Sequence, residues 1–159
     1  MAVDNKFRYS SYLLIVTTYI LILLGAWVKA IHAGLACPDW PLCYGKYIPD
    51  INDHQIFAEW FHRLWAMLNG FLLLGITYAA FRQKSEHPIY FSLCSILVVL
   101  YSVQVIFGGL TVLRNLQAAV VVTHLGNAIL IIILQMMLAF LVTLDYYYPN
   151  LRETKSQAN

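Results

Sequence analysis

Along the chain, apolar residues gather into four long runs, at about 12–31, 58–81, 89–112 and 119–144, separated by short polar stretches. Each run reaches the roughly 20 residues that a helix needs to cross the hydrocarbon core of a bilayer. The pattern therefore predicts four membrane-spanning helices, and no run remains to build a soluble core. The first run is too long for a signal-peptide h-region and is followed by no clear small-residue cleavage site, so it reads as the first span. The expected organisation is an N-terminal tail at 1–11, one transmembrane domain at 12–145 with a long loop at 32–57, and a C-terminal tail at 146–159. The expected fold is all-α, an integral membrane four-helix bundle.

Within the runs, the few polar and small residues recur at helical spacing. Span one carries Thr18, Gly25 and Lys29; span two Glu59, His62 and Asn69; span three Gln104, Gly108 and Thr111; span four His124, Asn127 and Gln135. Spacings of three, four, seven or eleven place each set on one helix face, and polar groups within a bilayer must turn inward to find partners. For Thr18, Gly25, Gln104, Gly108 and Gln135 the plain reading is packing, with small residues permitting close approach and polar ones bonding across helices.

Composition agrees with a lipid solvent: 60% of the 159 residues are hydrophobic and 11% charged. The ten Lys and Arg residues set the expected orientation. Lys6, Arg8, Arg82, Lys84, Arg152 and Lys155 lie on one side, and Lys29, Lys46, Arg63 and Arg114 on the other. That excess predicts both termini in the cytoplasm and loop 32–57 on the external face of the cell membrane. Tyr146, Tyr147 and Tyr148 suit an interfacial belt. With a net charge of +2 and no basic cluster, nothing suggests nucleic acid.

Histidines inside spans call for a further reason, because ionisable groups there are costly and mark functional sites. His62 lies about one turn inside span two, and His124 about a turn and a half inside span four. Counting crossings, spans two and four both run inward, so the two imidazoles share one level near the external face. Such a pair can approach a planar macrocycle from opposite sides, as in bis-histidine haem; the alternative is a pair of hydrogen-bonded interior side chains. Glu59, one turn before His62, reads either as a proton-handling carboxylate or as a solvated acid favoured by the helix N-terminus. Arg63 suits either a haem propionate or the interface.

Loop 32–57 contains Cys37-Pro38-Asp39-Trp40-Pro41-Leu42-Cys43. On an oxidising face two such cysteines suit a disulfide, structural or redox-active. The spacing is no zinc signature, with only His32 and His54 available to complete one. Cys94 reads as packing and His87 as a solvated residue of the loop between spans two and three.

The segments Gly25-Ala26-Trp27-Val28-Lys29, Ala33 to Gly45, Glu59-x-x-His62-Arg63, Gln104-x-x-x-Gly108-Gly109-Leu110-Thr111-Val112, Leu116 and His124-Leu125 together resemble the haem A synthase family. The resemblance implies oxidation of the C8 methyl of haem O to a formyl group, supplying haem A to terminal oxidases. It implies His62 and His124 as axial ligands of haem b or of substrate haem O, Glu59 as the catalytic carboxylate, Arg63 as a haem contact, and Cys37 with Cys43 as a disulfide or redox pair. Common members have eight spans in two four-helix halves, and this chain corresponds to one half with N-in/C-in topology. One histidine pair does not hold two haems, so either a homo-oligomer or an external electron donor is expected, with haem O synthase a further partner. The rivals are a non-catalytic bis-histidine membrane cytochrome and a membrane thiol–quinone oxidoreductase.

Overall fold

The computed structural model describes residues 4–149, and Arg152 and Lys155 of the charge count, with the rest of the C-terminal tail, lie outside them. Four helices follow one another: α1 (Asn5–Ala30), α2 (His54–Arg82), α3 (Pro88–Leu113) and α4 (Ala118–Tyr147). Each is long and apolar enough to cross a membrane. At 1.5 Å per residue their 26, 29, 26 and 30 residues span about 39 to 45 Å, more than a hydrocarbon core of roughly 30 Å.

Except at the end of α1, the helices therefore begin and end beyond the apolar runs. α1 starts inside the expected N-terminal tail because the Asp4 side chain accepts from the Lys6 amide and caps it. α4 runs through Tyr147, past the expected boundary at 145. Asp53 caps α2 by accepting from the Gln55 and Ile56 amides, and Pro88 opens α3, where a missing N–H costs nothing.

Helices adjacent in sequence pack together, and α4 closes on α1. The result is an up-and-down ring in which α1 lies diagonal to α3, and α2 to α4. Buried positions recur at alternating spacings of three and four: Phe7, Ser11, Leu14, Thr18 and Leu21 in α1, Asn69, Leu73, Ile76 and Ala80 in α2, Tyr90, Cys94, Leu97 and Tyr101 in α3, and Ile131, Gln135, Leu138 and Val142 in α4. That is the knobs-into-holes seam of a left-handed bundle. Outward faces expose Val16, Leu23, Phe71, Val99, Ile133 and Phe140, an apolar surface matched to lipid.

Part of the polar stripe bonds across helices. Asn69 donates to Thr18 at 2.9 Å and accepts from Thr17 at 3.0 Å, and Asn127 donates to the Gln104 side chain at 2.8 Å and the Leu100 carbonyl at 3.0 Å. Two members depart from expectation. Lys29 is exposed, since α1 ends one residue later and its charge sits at the negative pole of the helix dipole. Gln135 is 1% exposed, yet neither amide atom has a partner.

His87 is not the solvated loop residue that its position suggests. The start of α3 meets the end of α4, and His87 is buried there, stacked on Tyr90 with Nδ1 3.9 Å from the Asp145 carboxylate, which also accepts from the Tyr90 hydroxyl. Arg8 is buried beside them, its guanidinium 3.8 Å from the centre of the Tyr146 ring.

Candidate haem site at the loop end of the bundle

The continuous core stops short of one end of the bundle. Between Glu59 and Asn69, between Tyr101 and Gly109, and before Ile131, the helices carry no buried residue although their inward faces continue. His62 and His124 occupy that stretch, both half-buried. His62 lies eight residues beyond His54 and His124 six beyond Ala118, or about 12 and 9 Å along α2 and α4, so the rings share a level. Because α2 and α4 are parallel and diagonal, the two imidazoles belong to opposite sides of the bundle at this level.

Glycine makes room beside each ring. A Cβ on Gly25 of α1 would lie 3.1 Å from His62 Cε1, and one on Gly108 of α3 would lie 3.4 Å from His124 Cε1. Nδ1 of each histidine is buried without a hydrogen-bond partner. An unpartnered buried polar atom costs about 1–3 kcal/mol, and native structures hold few. Two imidazoles at one level, each against a glycine and in a stretch where the helices bury no residue, suit a planar group held between them.

Glu59 is buried, 6% exposed, which removes the solvated-acid reading. Its Oε1 accepts from Arg63 Nε at 3.0 Å, the i,i+4 spacing placing both on one face of α2. The rest of the Arg63 guanidinium points at loop one: Nη1 donates to the Asp39 and Leu42 carbonyls at 2.8 and 2.7 Å, and Nη2 to the Cys37 carbonyl at 3.1 Å. Four of the five Arg63 N–H groups are thus engaged within the chain, and one Nη2 N–H is left over. The loop partners of Arg63 are backbone atoms distant in sequence, which spacing does not display.

Those carbonyls belong to the ring closed by the Cys37–Cys43 disulfide, both sulfurs buried. The Asp39 carboxylate turns this segment by accepting from the Tyr44 and Gly45 amides at 2.6 and 2.8 Å. These bonds, that of Gly45 foremost, hold the Asp39 pKa below its ordinary value, with the Arg63 charge adding to the effect. Trp40 rests on Gly109 of α3, where a Cβ would come within 2.8 Å of its ring, and Leu116 packs on Gly34. The Gly108-Gly109 doublet was the sequence signal for this seat. Cys94 is free and buried in the opposite core cluster, and His32 and His54 are exposed. Among the described residues no group of His, Cys, Asp and Glu suits a bare metal ion.

The profile of a family described as cytochrome oxidase assembly protein matches residues 8–158. The chain belongs to the haem A synthase family. Similar relatives are the haem A synthases of Geobacillus thermodenitrificans, 28% identical over 124 residues (78% of this chain, 39% of that protein), of Bacillus pumilus strain SAFR-032, 28% over 135 residues (80% and 43%), and of Bacillus cereus strain G9842, 30% over 124 residues (78% and 40%). The chain therefore spans about two fifths of the length of these haem A synthase relatives.

Proposed function

We propose that this chain forms a four-helix haem unit of a haem A synthase, which oxidises the C8 methyl of haem O to a formyl group. The observation that carries the proposal is the pair His62 and His124 at one level on diagonal helices, each against a glycine of the neighbouring helix, in the stretch where the helices bury no residue. Bound haem supplies a redox-active iron. The chain supplies the rest: the two imidazoles hold the iron, Gly25 and Gly108 leave space for the rings to turn, and the apolar helices exclude water. Glu59 holds or passes a proton through the carboxylate oxygen that Arg63 leaves unbonded. The orientation is N-in/C-in, with the disulfide loop on the external face. A second four-helix unit, from a second copy of this chain, would provide the second haem position; the alternative is a single bundle that works with an external electron donor.

A non-catalytic bis-histidine cytochrome draws support from one observation: Glu59 is already engaged by Arg63, in a pair that anchors the loop. One experiment separates the readings. The chain is co-expressed with a haem O synthase, and the extracted haems are separated by chromatography. Haem A is expected, and is lost in His62→Ala and Glu59→Ala; haem O alone, with haem still bound to the protein, would favour the cytochrome or a missing partner instead. Absence of bound haem together with quinone-dependent thiol oxidation would restore the thiol oxidoreductase, although Cys94 is buried far from the Cys37–Cys43 pair.

A further inference from the structure

Loop one is tied to the bundle at points that bracket the histidine pair. Arg63, which grips three carbonyls around the disulfide ring, directly follows His62 on α2. Gly109, on which Trp40 rests, directly follows Gly108, the glycine facing His124 from α3. The loop thereby joins the two sides of the bundle that carry the pair. Its other ties lie outward: Gln55 Nε2 donates to the Ile31 carbonyl at 2.8 Å, Trp60 Nε1 to the Tyr47 carbonyl at 2.9 Å, and Leu116 fills the notch at Gly34.

We propose that the disulfide-closed segment is a strap across the mouth of the histidine site and that Trp40, seated on Gly109, is its latch, governing how fast a haem enters and leaves. The inference rests on the haem-site reading above. The two attachments differ in kind. Arg63 holds the strap by charged hydrogen bonds from the helix that also bears Glu59, so it is a positioning residue whose loss disturbs several groups. Trp40 holds its side by contact: among the described residues no hydrogen bond from the indole nitrogen ties it down, and the residue is 38% exposed. That side is the one able to lift. Gly109 is required because any side chain there would meet the indole at less than contact distance.

Gly109→Ala is the discriminating substitution. Alanine favours the helix over glycine, so α3 itself is not weakened, while the added methyl group displaces the indole. Full-length protein in detergent is loaded with ferric haem b, and the rate of haem transfer to excess apomyoglobin is followed by absorbance. Gly109→Ala and Trp40→Ala are expected to lose haem at least about tenfold faster than wild type, with an unchanged low-spin spectrum, because such effects fall on the off-rate. Tyr47→Ala, altering an exposed side chain of the same loop, is expected to keep the wild-type rate. Wild-type rates in loaded Gly109→Ala would overturn the latch while leaving the haem site intact, and so would equal acceleration by Tyr47→Ala. Failure of the wild-type chain to bind haem at all would remove the site itself and the strap with it.

Discussion

Replacing Arg63 with methionine keeps the length and apolar body of the side chain and removes every donor. The loop then loses bonds to the carbonyls of Asp39, Leu42 and Cys37, at 2.8, 2.7 and 3.1 Å. A hydrogen bond to a charged group contributes roughly 1.5–3 kcal/mol net of exchange with water, and the three share one guanidinium and do not add fully, so about 3 kcal/mol is a lower bound on the weakening of loop docking. That is on the order of a hundredfold in the ratio of open to closed loop. Lys46, exposed in the same loop, offers a trypsin site, and cleavage follows the open population while reclosing outruns cutting. Cleavage at Lys46 is expected to rise at least about a hundredfold in Arg63→Met, with Arg63→Lys intermediate because an ammonium is a single point of contact. Methionine also strands Glu59 as a buried, unpaired carboxylate, a loss of roughly 3–5 kcal/mol that falls on the start of α2. Adding Glu59→Gln should recover that thermal stability without slowing cleavage. Unchanged cleavage in Arg63→Met, or slow cleavage restored in the double variant, would refute the assignment of Arg63 to the loop.

Three further outcomes follow from other positions. Gly25→Leu and Gly108→Leu put bulk against the His62 and His124 rings, and both are expected to abolish haem binding in titrations with ferric haem while leaving the helical circular dichroism intact; Gly25→Ala should weaken binding more than Gly108→Ala, since its contact is 3.1 rather than 3.4 Å. Gln135→Leu replaces an unpartnered buried amide and should stabilise the bundle by about 1–3 kcal/mol in thermal unfolding, whereas destabilisation would reveal a bound water bridging that amide. The depressed pKa of Asp39 means that its contribution to loop docking is complete above the ordinary carboxylate value and is lost only as pH falls through the lower, folded value. Trp40 fluorescence should therefore hold steady down through the usual carboxylate range and change below it, and Asp39→Asn should remove that acid transition.

The helices were legible because four apolar runs admit no other solvent, and the histidine pair because intramembrane imidazoles at one level have few bland explanations. Helix ends were less so: Asn5 to Ser11 reads as a polar flank, yet its Arg8 is buried under tyrosine rings contributed by α4. The same limit hid the His87–Asp145 contact, since nothing local pairs the start of α3 with the end of α4. Glu59 and Arg63 were visible as candidates, but not as partners of each other and of loop carbonyls, because main-chain acceptors leave no mark on a sequence. Trp40 and Gly109 were both quoted in the motifs, and only the folded chain shows that one is the seat of the other.

The ring of helices also fixes what the histidines leave undecided. Hairpin α1–α2 presents a histidine opposite a glycine, hairpin α3–α4 does the same, and a half-turn about the bundle axis roughly exchanges them. A guest lying on such an axis meets nearly equivalent surroundings from both sides, so the ligands alone do not distinguish one edge of an asymmetric macrocycle from another. The pseudosymmetry is broken by the Cys37–Cys43 loop, which places Glu59 and Arg63 on one side and Trp40 on the other. With a macrocycle bound as proposed, the covering loop rather than the histidine pair would decide which of its edges faces Glu59.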